Sequence, residues 1–164
     1  MKVFDLETTR HDQPLYLGLQ SGNNYGWGVC SNYLIQELTK LIPVCVLNGH
    51  DGSDRNPALP GKLLQALTGV DLFPIFEKAR GIENYGYTFF ENELTEYSVE
   101  NSKKYTSIFA GSSWCRDRLV ERNITNCNVL IQGVDPQKFF PTRTSTSSPN
   151  FVIFSGGKFE LRKG

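Results

Sequence analysis

Gly26 and Gly28 flank Trp27 in "SGNNYGWGVCSNYLIQEL", where a strand-like run gives way to a helical one. Glycine lets the backbone turn tightly and lets a ligand approach its N–H groups. A helix start presents unpaired N–H donors and a partial positive charge, which suits a phosphate. Asn23, Asn24 and Tyr25 could add hydrogen bonds there. The plain alternative is a tight strand-to-helix turn with no ligand. Lys158, Arg162 and Lys163 form a second group, in "FVIFSGGKFELRKG", where an apolar run passes through two glycines into cations. They are either anion-binding groups or a solvated basic turn. Glu91 ends "GYTFFE", and His50 sits in "NGHDG", each after a strand-like run. At the C-terminal edge of a parallel sheet, where ligands bind, Glu91 would be suited to orient a hydroxyl or act as a base. The alternatives are an ordinary loop carboxylate and a surface histidine. Trp114, beside Ser112 and Ser113, reads as core rather than as a binding platform.

The elements that would position these groups alternate. "PLYLGLQ" reads as a strand. In the next segment Trp27, Cys30, Leu34, Leu38 and Leu41 recur at three- and four-residue intervals, one face of a helix. "PVCVLN" is a short, buried-looking strand, and "GHDGSDRNPALPGK" is a polar loop. "LLQAL" fits helix or strand. "NYGYTFFE" is an aromatic strand and "ELTEYSVENSKKY" a helix in which Glu100 and Lys104 would pair. "TSIFAGS" is a strand. Ser112 or Ser113 would cap the helix "WCRDRLVERN", and Asn123 would end it. "NVLIQGV" is the last strand before "GVDPQKFFP". This β-α-β, uncertain middle, β-α-β-α-β order predicts an α/β, Rossmann-like, three-layer domain with a mostly parallel sheet.

The domain is expected over residues 1–141. "TRTSTSSPN", within 142–150, reads as a linker. Residues 151–164 would begin a second domain, most of it outside this sequence.

Composition narrows the function classes. The chain has 164 residues, 39% hydrophobic and 21% charged, as a globular protein does. Lysine plus arginine and aspartate plus glutamate each total 17. A zero net charge argues against nucleic acid held mainly through phosphate contacts. Asp5 and Glu7 interrupt the apolar run a signal peptide would need, and no stretch reaches transmembrane length. Cys30, Cys45, Cys115 and Cys127 form no CxxC pair and read as buried free thiols of a reducing compartment, with a zinc site or a disulfide framework as the alternatives. No spacing of His, Asp or Cys suggests a metal site. The Asn123-Ile124-Thr125 sequon reads as accidental in that setting.

Three stretches together resemble the retaining GT-B glycosyltransferases of the family 4 type. They are "LGLQSGNNYGWGVCSNYLIQEL", "TSIFAGSSWCRDRLVERNITNCNVLIQGVDPQKFFP" and "FVIFSGGKFELRKG". The "GVDPQKFFP" segment, with a strand and a "KG" after it, is the most specific sign. The resemblance implies two Rossmann-like domains, the N-terminal one mostly for acceptor and the C-terminal one mostly for a nucleotide-diphosphate sugar. It implies a donor-phosphate site drawing on Gly26, Trp27, Gly28, Lys158, Arg162 and Lys163. Lys163 matches the family's lysine before a glycine, whereas Gly157, with Lys158 beside it, stands where an arginine is usual. Asn24, Tyr25 and His50 become acceptor-side candidates and Glu91 the catalytic one. No metal or resident cofactor is implied. The acceptor class stays open among glycan, lipid and protein, and the location implied is cytoplasmic, with the inner face of a membrane as an option. On this reading the 164-residue chain alone would not catalyse transfer. The alternatives are a non-catalytic Rossmann-like module that binds a nucleotide or partner and, more remotely, a nucleotide-dependent epimerase.

Overall fold

A computed structural model describes residues 13–20, 22–47 and 58–140. The chain divides into two compact units, Met1–Gln132 and Gly133–Gly164. Among its described residues the first holds six strands in one sheet, ordered β2-β1-β3-β4-β5-β6. The strands are β1 (Leu15–Gly18), β2 (Val44–Val46), β3 (Leu63–Ala66), β4 (Asn84–Thr88), β5 (Ser107–Ala110) and β6 (Cys127–Val129). Every neighbouring pair is parallel. Among the described residues three helices join them: α1 (Gly26–Leu38), α2 (Tyr97–Ser102) and α3 (Ser113–Glu121). The expected Rossmann-like, three-layer α/β domain is therefore present. No helix among the described residues is long and apolar enough to cross a membrane.

Strand alternation sorts the core into two faces. On one face Leu17, Leu64, Ala66, Tyr85 and Tyr87 meet the stripe Trp27, Cys30, Leu34, Ile35 and Leu38 of α1. On the other, Ile108 and Ala110 pack with Cys115 and Leu119 of α3, with Val99 of α2 against the same cluster. Leu41, expected on the α1 stripe, is 75% exposed, because the helix stops at Leu38 and Pro43 follows.

The ends of α3 follow from its sequence. The Ser112 hydroxyl accepts a hydrogen bond from the Cys115 N–H at 3.1 Å. Asn123 takes φ of 61°, letting the Ile124 N–H return to the Leu119 carbonyl at 3.0 Å. The helix exposes Trp114, so the expectation that this residue is core is corrected. Its ring lies 5.9 Å from that of Phe90, with the Arg118 guanidinium 5.9 Å from the Trp114 centroid.

Other expectations are also revised. "LLQA" is strand β3, buried at all four positions, and no helix is described between β3 and β4. The β2 strand is the sheet's edge, half-buried at Val44 and exposed at Cys45 and Val46, so neither it nor the Cys45 thiol is buried. All four cysteines are free, with Cys115 buried and Cys30 and Cys127 half-buried. Strand β4 ends at Thr88, so Glu91 lies beyond the strand rather than at its last position. Helix α2 is six residues long. Glu100 pairs with Lys103 at 2.7 Å, while the Lys104 ammonium donates to Asn101 Oδ1 at 2.7 Å.

Thr88 is fully buried, and its Oγ1 has no hydrogen-bond partner among the described residues. An unpaired buried hydroxyl costs about 1–3 kcal/mol. Thr88→Val is expected to leave the fold intact and raise stability by up to about 1 kcal/mol, read as a higher urea midpoint. A fall in the midpoint would mean that the hydroxyl has a partner.

In the second unit, described through Phe140, Asp135 organises a turn. Its Oδ1 accepts from the Gln137 N–H at 2.9 Å, and its carbonyl accepts from the N–H groups of Lys138 and Phe139. The expected linker and second-domain start, 142–164, lie outside the described residues.

Candidate functional site

Strand order reverses between β1 and β3, since β2 lies to one side of β1 and the remaining strands to the other. Crossovers leave such a point in opposite directions, opening a crevice outside the carboxyl ends of the strands. The turn from β1 into α1 stands at that edge.

The turn is built by contact between two glycines. Gly22 has φ of 138°, a conformation side chains rarely adopt. Gly28, buried in the first turn of α1, lies directly beneath it. A Cβ added at Gly28 would sit 1.9 Å from the Gly22 carbonyl oxygen. Gly28 is therefore required by packing. Gly26 differs: a Cβ added there meets nothing within 4 Å among the described residues. Tyr25 is the N-cap residue, in extended conformation, and its side chain makes no capping hydrogen bond. No acidic residue stands in the first turn. The first-turn amides thus combine the positive end of the helix dipole with open space at Gly26.

The neighbouring candidates serve different ends. Asn23 Oδ1 accepts from the Asn32 side-chain amide at 2.7 Å, which ties the loop to the helix. Asn24 and Tyr25 are exposed. Trp27 is half-buried, its ring stacked on Phe89 at 3.7 Å and 20° and edge-on to Tyr87 at 6.0 Å. The Tyr87 hydroxyl lies 3.7 Å from the Cys30 sulfur; burial first, and then this contact, pushes its pKa up. Trp27 therefore clamps the start of α1 onto the end of β4.

Phe89 links the helix start to the other strand ends. A Cβ added at Gly111, just beyond β5, would lie 3.1 Å from Phe89 Cβ. Glu91 follows two residues after Phe89 and is exposed. The buried Phe90 between them meets the exposed Trp114. The fold thus gathers Gly26, Trp27, Glu91 and Trp114 along the carboxyl ends of β1, β4 and β5. His50, Lys158, Arg162 and Lys163 lie outside the described residues. The part played by Phe89 was missed in the sequence, where the pair Phe89-Phe90 gave only a strand signal.

Chemically, this edge offers amide N–H donors for an anion, one exposed carboxylate and one exposed indole. Among the described residues, no group of three or more His, Cys, Asp or Glu side chains is placed to hold a metal ion. No protein-family model, curated protein or solved structure matches the chain.

Proposed function

We propose that the chain is the acceptor-side domain of a retaining glycosyltransferase of the GT-B type, working with a nucleotide-diphosphate sugar. The observation that carries this reading is the start of α1, where the Tyr25 side chain makes no capping bond and Gly26 has open space among the described residues, at the point where the strand order reverses. The succession of β5, a Ser112-capped α3, β6 and "GVDPQKFFP" supports it from the sequence side.

On this reading the first-turn amides of α1 meet negative charge gathering on the departing diphosphate. Donors fixed before the reaction lower the barrier because nothing must reorganise as the charge develops. Lys158, Arg162 and Lys163 would add cations from the donor side. Glu91 would orient or deprotonate the acceptor hydroxyl. The acceptor is a glycan, lipid or protein, and a C-terminal domain completes the donor pocket. Four free cysteines fit work in the reducing cytoplasm.

Titration of the 164-residue chain with UDP and GDP, followed by amide NMR, tests the anion site. The N–H signals of Gly26, Trp27 and Gly28 are expected to shift in a saturable way, with those of α3 unmoved. Saturation elsewhere, with these three silent, would overturn the reading. Binding at α1 together with no transfer by the longest natural form of the protein would favour a non-catalytic module.

A further inference from the structure

Trp114 stands out of the core at the carboxyl edge of the sheet. Tryptophan is highly buried on average, yet this one is 48% exposed. It is held rather than loose. It lies in the first turn of α3, whose start is fixed by the Ser112 hydroxyl on the Cys115 N–H. The Cys115 thiol in turn donates to the Phe90 carbonyl at 3.4 Å, tying that turn to the segment just beyond β4. The Phe90 ring lies 5.9 Å from the indole, inclined at 56°. Phe90 is itself closely backed, since a Cβ added at Gly69 would lie 3.0 Å from its Cβ. An indole fixed in this way loses little freedom when a ligand settles on it.

The residues around the indole are polar. One turn further along α3, Asp117 and Arg118 are exposed. The Arg118 guanidinium lies 5.9 Å from the Trp114 centroid and pairs with Glu121. Glu91, Asn92 and Glu93 follow Phe90 in the chain and are exposed as well. This surface therefore offers one flat apolar face among charged groups, with the indole N–H as a further donor. A lipid chain or an apolar protein face calls for a contiguous apolar patch, roughly a few hundred Å². The charged neighbours of Trp114 on α3 interrupt any such patch.

A sugar ring suits these features. Its C–H faces are apolar and stack on an aromatic ring, while its hydroxyls, at the rim, both donate and accept. We propose that the acceptor is a glycan and that Trp114 is its platform, with one sugar ring stacked on the indole and its hydroxyls meeting Arg118 and the Glu91 carboxylate. This assignment rests on the glycosyltransferase reading, and it selects one of the three acceptor classes.

The test is NMR of the full chain, reading the indole N–H signals of Trp114 and Trp27. The probes are maltotetraose, cellotetraose, chitotetraose and mannotetraose, with sorbitol, which has hydroxyls but no ring face, and dodecylphosphocholine micelles as comparisons. At least one tetrasaccharide is expected to shift Trp114 saturably, half-saturating in the millimolar range, with Trp27 unmoved and sorbitol without effect. Trp114→Ala is expected to fold, because the ring lies outside the core, and to weaken the remaining shifts of α3 by roughly tenfold. Trp114→Phe keeps an aromatic face and should recover most of the response. A silent Trp114 with all four tetrasaccharides, an equal response to sorbitol, or a sugar response that survives Trp114→Ala would overturn the proposal. So would a response to micelles alone, which would make the acceptor a lipid. The two readings fail separately. Trp114 silent to sugars while UDP and GDP shift Gly26, Trp27 and Gly28 removes the platform alone. Sugar at Trp114 with those three amides silent to UDP and GDP removes the transferase, and the acceptor assignment with it, and leaves a sugar-binding module.

Discussion

Gly28→Ala is expected to destabilise the protein by about 3 kcal/mol or more. The new methyl would lie 1.9 Å from the Gly22 carbonyl oxygen, 2.7 Å from its carbonyl carbon and 2.9 Å from its nitrogen. All three are backbone atoms, so no side chain can swing aside. Gly22 is itself held at φ of 138°, which leaves the loop little room to retreat. Relief must come from α1 pivoting off the sheet, at the cost of the Trp27–Phe89 stack. Overpacking in a well-filled core costs about 1–3 kcal/mol and occasionally more, and a clash with fixed backbone belongs at the upper end. Alanine's helix propensity returns at most about 1 kcal/mol. A protein of ordinary stability, about 5–15 kcal/mol, would lose a large share of it. Urea unfolding and near-ultraviolet circular dichroism report the outcome. An unchanged midpoint with the tryptophan signal intact would show that the loop does not cross the helix.

Two residues earlier the expectation reverses for stability and is severe for binding. Gly26→Asp adds its side chain in open space, so no clash opposes it. Replacing glycine in a helix, and placing a carboxylate at its positive end, together stabilise by up to about 1 kcal/mol. The same carboxylate would stand where we propose that the diphosphate sits. Two like charges 4 Å apart near a protein surface repel by about 4 kcal/mol before screening. UDP or GDP affinity is therefore expected to fall at least tenfold while Tm rises. Gly26→Asn, similar in shape and uncharged, should retain most of the affinity. Undiminished nucleotide binding by the aspartate variant would remove the α1 start from the site.

The parts legible in the sequence are those where one physical signal dominates. Trp27, Cys30, Leu34 and Leu38 make a stripe that meets the sheet. Ser112 and Asn123 mark the two ends of α3 through their own hydrogen bond and backbone conformation. The middle resisted because its signals conflict. Strand β3 is buried on both faces, so Leu63 to Ala66 show no alternation to separate strand from helix. Helix α2 buries Ser98, Asn101 and Ser102. Ser98 and Ser102 donate to the Thr95 and Val99 carbonyls, and Asn101 to that of Asp71. A polar buried face gives no apolar stripe from which to set its length.

The site divides in the same way. A glycine pair around Trp27 points to a helix start, but the sequence does not distinguish Gly26 from Gly28. Only the Gly22 carbonyl lying over Gly28 separates the glycine that packs from the glycine left open. Tryptophan is highly buried on average, which is why the sequence alone places Trp114 in the core. Here Cys115 and Leu119 occupy the buried side of α3, which turns Trp114 outward.

The reversal of strand order also governs assembly. Neighbours from β3 to β6 pair across single short connections, whereas β1 reaches β3 only after the chain has passed through α1 and β2. Tyr16 meets Leu63, a closure spanning rather more than twice the sequence distance that joins Leu63 to Asn84. Each doubling of a closed loop adds about 0.6 kcal/mol of entropy, so this junction forms roughly threefold less readily than the others. The seam between β1 and β3, the second of the sheet's five, thus carries the largest entropic cost of closure, though a small one, and the crevice beside it exists only once that cost is met.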